Sequence, residues 1–140
     1  MRTVYDRIRH SILFELIGLI IVTPLGGFAF DQPMHDFGVV ALVSTSIAMF
    51  WNYAFNYGFD LMLMRKFGIT TKTFKLRVFH AVAFEAGLLS LLVPFISWYL
   101  DVAIWIAFMM DVSLAGFYLV YAFIFNWGYD LVYPAPMANR

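Results

Sequence analysis

The sequence predicts an all-α integral membrane protein: four transmembrane helices arranged as a tandem repeat of two-helix units, with both termini on the cytoplasmic side. Three observations carry this expectation. Of the 140 residues, 63% are hydrophobic and only 13% are charged, against about 25% charged in ordinary soluble domains. Mean hydropathy is +0.80, more oil than a core this small could hide. The polar residues inside these apolar stretches recur at a spacing of 70: Arg7, His10, Phe14 and Glu15 return as Arg77, His80, Phe84 and Glu85, and Phe55, Asn56, Gly58 and Asp60 as Phe125, Asn126, Gly128 and Asp130. Pro24 and Asp31 likewise match Pro94 and Asp101. A repeat of oil alone would mean little, but carboxylates, amides and histidines are costly in a membrane, so their repetition marks two copies of one unit. Residues 1–70 form the first transmembrane pair and residues 71–140 the second.

Each element follows from length and charge. A bilayer is crossed by about 20 apolar residues of helix, and four stretches suffice: Ser11 to Phe30, Phe37 to Phe59, Val78 to Leu100, and Val102 to about Tyr133. The basic start before span one resembles a secretory signal. The same Arg, His, Phe and Glu pattern heads span three, however, so span one is expected to be a retained structural element. All nine Lys and Arg lie before span one (Arg2, Arg7, Arg9), between spans two and three (Arg65, Lys66, Lys72, Lys75, Arg77), or at the end (Arg140). By the positive-inside rule these regions are cytoplasmic, and the loops at Asp31 to Asp36 and around Asp101 face outward. With an even number of spans per copy, the copies share one topology and are related by an axis along the membrane normal. The central loop, about Met64 to Leu76, is too short for a soluble domain. The absence of Cys excludes disulfide and thiol chemistry; no nucleic-acid-binding face, nucleophile, metal cluster or phosphate loop is visible, so an enzyme is not expected and no cofactor is called for.

The strings RIRHSILFE (7–15), WNYAFNYGFD (51–60), RVFHAVAFE (77–85) and YAFIFNWGYD (121–130) resemble the four signature motifs of the proteobacterial antimicrobial compound efflux (PACE) transporters, which are built from two bacterial transmembrane pair units. The resemblance covers almost the whole chain; Ser11, where the family usually carries a small Ala, and Ala122 are small departures. It implies proton-coupled export of cationic biocides such as chlorhexidine from the bacterial inner membrane, with the carboxylate matching Glu15 as the essential group. Short aliphatic diamines are further implied substrates.

The residues support the same chemistry independently. Glu15 is followed by an apolar run, and an ionised carboxylate at membrane depth is costly unless paired or hydrated. Desolvation favours the neutral form, so a carboxyl so placed is suited to exchanging a proton near neutral pH. A carboxylate that holds a proton or an organic cation, but not both, is a minimal exchanger. The alternative is permanent pairing with a neighbouring Arg or His. At helical spacing Glu15 shares its face with Ser11, Gly18, Leu19 and Val22, whereas Glu85 shares its face with Ala81, Leu88, Leu89 and Leu92, which makes the first face the more open. Glu85 is therefore assigned a supporting role. Trp51, Phe55 and Phe59, and in span four Phe117, Tyr121, Phe125 and Tyr129, form aromatic stripes beside the amides Asn52, Asn56 and Asn126. Aromatic faces attract desolvated cations, with Trp51 and Tyr121 the leading ligand candidates; helix packing is the alternative use of such rings.

Other polar residues read as structure. Asp60 and Asp130 lie near the level of Arg7 and Arg77, so interhelical ion pairs are expected there. His10 and His80 precede the glutamates by five residues, about 140° around a helix, so no chelating pair forms and no metal site is expected. They are read as interfacial hydrogen-bonders with a proton-relay role open. Asp111, whose counterpart is Ala41, is either part of an outward proton path or a second contact for a dicationic substrate. Pro24 and Pro94, with Gly26 and Gly27, are candidate gates. Four helices give little room to enclose a drug and alternate access, so a homodimer is expected. A passive proton or cation channel and a membrane scaffold remain rival readings.

Overall fold

The computed structural model describes residues 3–68 and 73–134. Arg2, Lys72 and Arg140, used above to orient the chain, lie outside the described residues. Four helices account for nearly all of the rest: α1 (Val4–Ala29), α2 (Met34–Phe67), α3 (Phe74–Leu100) and α4 (Ile104–Val132). Each is long and apolar enough to cross a membrane, and there is no strand among the described residues. Three helices begin or end beyond the apolar stretches that announced them, most clearly α1, which starts at Val4 rather than Ser11, and α2, which continues to Phe67, while α4 lies within its stretch. Apolar composition marks only the part of a helix that sits in oil, whereas the helix itself stops where its backbone is capped.

Those caps obey the 70-residue repeat. The Thr3 hydroxyl accepts from the Asp6 N–H at 3.2 Å, and the Thr73 hydroxyl from the Leu76 N–H at 3.4 Å, each satisfying a first-turn donor that has no helical partner. At the other ends Asp31 and Asp101 adopt left-handed φ values of 51° and 52°. Aspartate is among the few residues that tolerate this region. The turn lets the Gln32 N–H reach the Gly27 carbonyl at 2.9 Å and the Val102 N–H reach the Ser97 carbonyl at 3.1 Å, the C-terminal bond that closes a helix when the chain reverses after it. Asp31 and Asp101 thus recur for backbone reasons. Helices α1 and α3 run continuously through Pro24 and Pro94.

The chain divides into two compact units. One contains α1, the first turns of α2 up to Ala41, and α4 from Val112 onward; the other contains α2 from Leu42, all of α3, and α4 as far as Asp111. Both units draw helices from both halves of the chain. In the first, α1 packs antiparallel to α4 and buries Val22, Phe37, Leu114, Tyr121 and Tyr129; in the second, α2 packs antiparallel to α3 around Phe59, Leu63, Leu92 and Ile96. Large apolar side chains such as Phe28, Phe50, Trp98, Leu119 and Phe123 remain exposed, as befits helices whose outer faces meet lipid rather than water.

Candidate functional site

In the first unit the α1–α4 seam is a ladder of polar steps set among rings. Nearest the helix ends, Arg9 pairs with Asp6, and the Tyr129 hydroxyl accepts from Arg9 Nε at 3.0 Å while donating to Asp6 Oδ1 at 2.8 Å. The Arg9 guanidinium also lies 3.8 Å from the centre of the Tyr133 ring, a cation–π contact. One turn along, His10 Nε2 and Asn126 Oδ1 are 2.8 Å apart, and the imidazole meets Phe125 and Tyr129 edge to face at 5.2 and 4.6 Å. The next step is Tyr121, whose hydroxyl donates to the Phe14 carbonyl at 2.8 Å. That carbonyl belongs to the residue before Glu15.

Glu15 is half-buried, and its Oε1 is fully buried with no hydrogen-bond partner among the described residues. A turn further, Gly18 is pressed by rings: a methyl there would stand 3.1 Å from Tyr121 Cε1 and 3.3 Å from Tyr118 Cε1. A side chain at this position would press both tyrosines back by a few tenths of an ångström. Beyond Gly18 the seam opens into a cavity of about 140 Å³ lined by Val22, Gly26, Phe30, Phe37, Leu114 and Phe117, among others.

The second unit repeats the frame. Trp51 Nε1 donates to the Phe84 carbonyl at 3.0 Å, the position matching Tyr121 and Phe14, and its ring lies so close to Gly87 that a methyl there would stand 2.2 Å from Trp51 Cζ2. His80 meets Phe55 and Phe59 edge to face at 5.1 and 4.6 Å. Asn56 donates to the Asn52 carbonyl at 2.7 Å and to its side-chain oxygen at 2.9 Å. Glu85 is exposed. Asp111 is only 7% exposed; Ser44, equally buried, has an Oγ with no hydrogen-bond partner among the described residues.

The candidates read from the sequence therefore fall into two groups. Glu15, Tyr121 and Asn126 meet on the α1–α4 seam, while Trp51, Asn52, Asn56, Glu85 and Asp111 belong to the other unit. Trp51 and Tyr121 both direct their polar atoms at the backbone, so each ties a helix to the carbonyl next to a glutamate. Arg7, Asp60, Arg77 and Asp130 are exposed near the helix ends, and an ion pair on the α1–α4 seam joins Arg9 and Asp6. Among the described residues no group of three or more His, Cys, Asp or Glu could hold a metal ion. Sequence reasoning missed Asp6, used Arg9 only to orient the chain, and named Gly18 and Tyr118 only as neighbours of Glu15 and of the aromatic stripe. The signal was available in the positions where the two copies differ, since Asp6, Arg9, Gly18 and Tyr118 face Leu76, Phe79, Leu88 and Ala48 across the 70-residue offset.

Comparison with known proteins gives a concordant result. The family described as "BTP: Chlorhexidine efflux transporter" matches residues 2–65 and again 72–135, two segments offset by the same 70 residues. A short-chain diamines transporter of Acinetobacter baylyi is 34% identical over 126 residues, covering 90% of this chain and 88% of the relative. Proteins of the same description from Vibrio parahaemolyticus and Acinetobacter baumannii are 34% and 36% identical, covering 92% and 89% of this chain and 91% and 85% of theirs. No solved structure matches.

Proposed function

Because the chain belongs to the chlorhexidine efflux transporter family, we propose that it exports organic cations, both biguanide-like biocides and short-chain diamines, in exchange for protons, with Glu15 holding one or the other. The observation that carries this reading is the buried, unpartnered Oε1 of Glu15. A buried carboxylate oxygen without a donor is a poor resting place for charge, so the group favours either a bound proton or a bound cation. Occupancy by one excludes the other. Coupling follows if proton and substrate each favour a different balance of inward- and outward-facing states.

The neighbours have definable roles. Tyr121 fixes the α1 backbone at Phe14 and offers a ring face to a cation at Glu15. His10 and Asn126 form the polar step between Glu15 and the helix ends, a route for protons through a tautomer-capable ring. Asp111, in the other unit, is an outward proton path. The exporter is a multi-pass inner-membrane protein, works as a homodimer, and has both termini and the connection between α2 and α3 in the cytoplasm. A cysteine introduced at Pro33 then reacts with an impermeant reagent from the periplasm, and one at Lys72 does not; the reverse pattern overturns the orientation.

The deciding experiment is flux of chlorhexidine and of a short diamine in proteoliposomes under an imposed pH gradient. Substrate-dependent proton movement is expected, and proton flux without substrate would replace the exchanger with a channel. Substrate binds the deprotonated carboxylate, so affinity should rise with pH through the titration of Glu15, with a proton released on binding. Glu15→Gln should lose both signatures.

A further inference from the structure

Glu15 and the 140 Å³ cavity lie on one stripe of α1, since Glu15, Gly18, Val22, Gly26 and Ala29 follow one another at intervals of three or four residues. At 1.5 Å per residue, Val22 and Gly26 lie about 10 and 16 Å along the helix from Glu15. The wall between them is aromatic and continuous on the α4 side. The Tyr121 ring stacks on Phe117 with centroids 5.6 Å apart and planes 7° from parallel, and Phe117 itself lines the cavity. The far wall is the stacked pair Phe30 and Phe37, 6.0 Å apart. Gly26 is needed there, because a methyl would stand 1.8 Å from Phe37 Cε1. Ser113 is the sole hydroxyl-bearing residue of the lining. An anionic group at one end and a small dry cavity at the other, joined by ring faces, is complementary to an amphiphile and not to a uniformly polar cation.

We propose that the cavity bounded by Val22, Gly26, Phe30, Phe37, Leu114 and Phe117 is an apolar subsite that receives the hydrophobic tail of an amphiphilic cation whose charged head is held at Glu15. The subsite rests on the exchange reading of Glu15 and adds a length rule to it. A head at Glu15 and a tail of roughly eight carbons reach Val22, and roughly twelve to thirteen reach Gly26, whereas a short diamine uses Glu15 alone. One unit would then serve both substrate classes with a single carboxylate.

The test is equilibrium binding of n-alkyltrimethylammonium ions, with tails from four to fourteen carbons, and of 1,4-diaminobutane to the protein in lipid nanodiscs, with partition into protein-free nanodiscs subtracted. For the unaltered chain, affinity should climb with tail length by up to roughly threefold per methylene and level off once the cavity is filled. Ala29→Phe and Ser113→Leu, both at exposed rim positions, should fill the cavity, move the plateau to shorter tails and weaken decyltrimethylammonium by about tenfold. Binding of 1,4-diaminobutane should change less than about twofold, since it never reaches the cavity. Equal losses for both probes, or an unchanged length profile because a lipid acyl chain occupies the cavity, would overturn the subsite. Glu15→Gln separates the two readings: diamine binding that survives it sinks the exchange role of Glu15, whereas the rim variants report on the tail.

Discussion

The α1–α4 seam and the α2–α3 seam are built on one frame and furnished differently. In both, an aromatic N–H or O–H grips the carbonyl before a glutamate, Tyr121 on Phe14 and Trp51 on Phe84. In both, a histidine stands edge-on to two rings. The differences begin with what these fixtures surround. Where the first seam has Asp6, Arg9 and Tyr129 in one hydrogen-bonded cluster, the second has Leu76, Phe79 and Phe59, with the two rings 6.3 Å apart. Asn52 captures Asn56 in the second seam, while Ala122 cannot capture Asn126, which is left to His10. Glu15 has a buried oxygen without a donor; Glu85 is exposed. Bonds to the backbone have stayed alike because they hold helices in register. The side chains around the carboxylates differ, which is how one duplicated frame can bury part of one glutamate and expose the other.

The largest test of that contrast is a pair of charge removals. Glu15→Gln should reduce substrate-coupled proton flux in proteoliposomes by at least about a hundredfold, since the exchanged group is gone, while Glu85→Gln should stay within about fivefold. Equal losses would make the two acids partners and dissolve the asymmetry. Next come the aromatic anchors. Trp51→Phe removes both a hydrogen bond and ring volume packed on Gly87, and should cost about 2–4 kcal/mol in stability. Tyr121→Phe removes only the hydroxyl bond and should cost about 1 kcal/mol. Thermal unfolding in detergent that ranks them the other way would show that the Phe14 carbonyl matters more than packing.

A smaller effect should follow from Ala122→Asn, which gives the first seam the amide pair of the second. Asn126 should turn to the new amide, releasing His10, and the His10 ring resonances should shift by NMR while stability changes by less than about 1 kcal/mol. Unmoved His10 ring resonances would show that Asn126 is held by something other than the lack of a competitor. The smallest effect belongs to Asp6→Leu combined with Arg9→Phe, the residues of the second copy. The replaced cluster lies at the helix ends, where ion pairs are weak and screened by salt. Transport should be unchanged, and any fall in thermal midpoint should disappear at high salt.

Much of this protein was legible in the sequence. Oil content and span length dictated four membrane helices, because a bilayer admits few other solutions for an apolar backbone. The 70-residue register announced the duplication, and Glu15 stood out as a charge in an expensive place. Even the cap residues Thr3, Thr73, Asp31 and Asp101 follow from local chemistry, since a cap is decided by its own few neighbours. What only the tertiary structure decided is which helices share a seam. The sequence pairs α1 with α2 and α3 with α4 as repeats, yet α1 packs along α4 and α3 along α2, and this sets Tyr118 and Tyr121 beside Gly18 and closes the cavity over Gly26. Periodicity tells which face of a helix is oily or polar; among four helices that are oily all round, it does not say which neighbour that face will meet. The unequal burial of Glu15 and Glu85 goes with the different side chains that those two seams bring to them, Tyr118 and Tyr121 in one and Ala48 and Trp51 in the other.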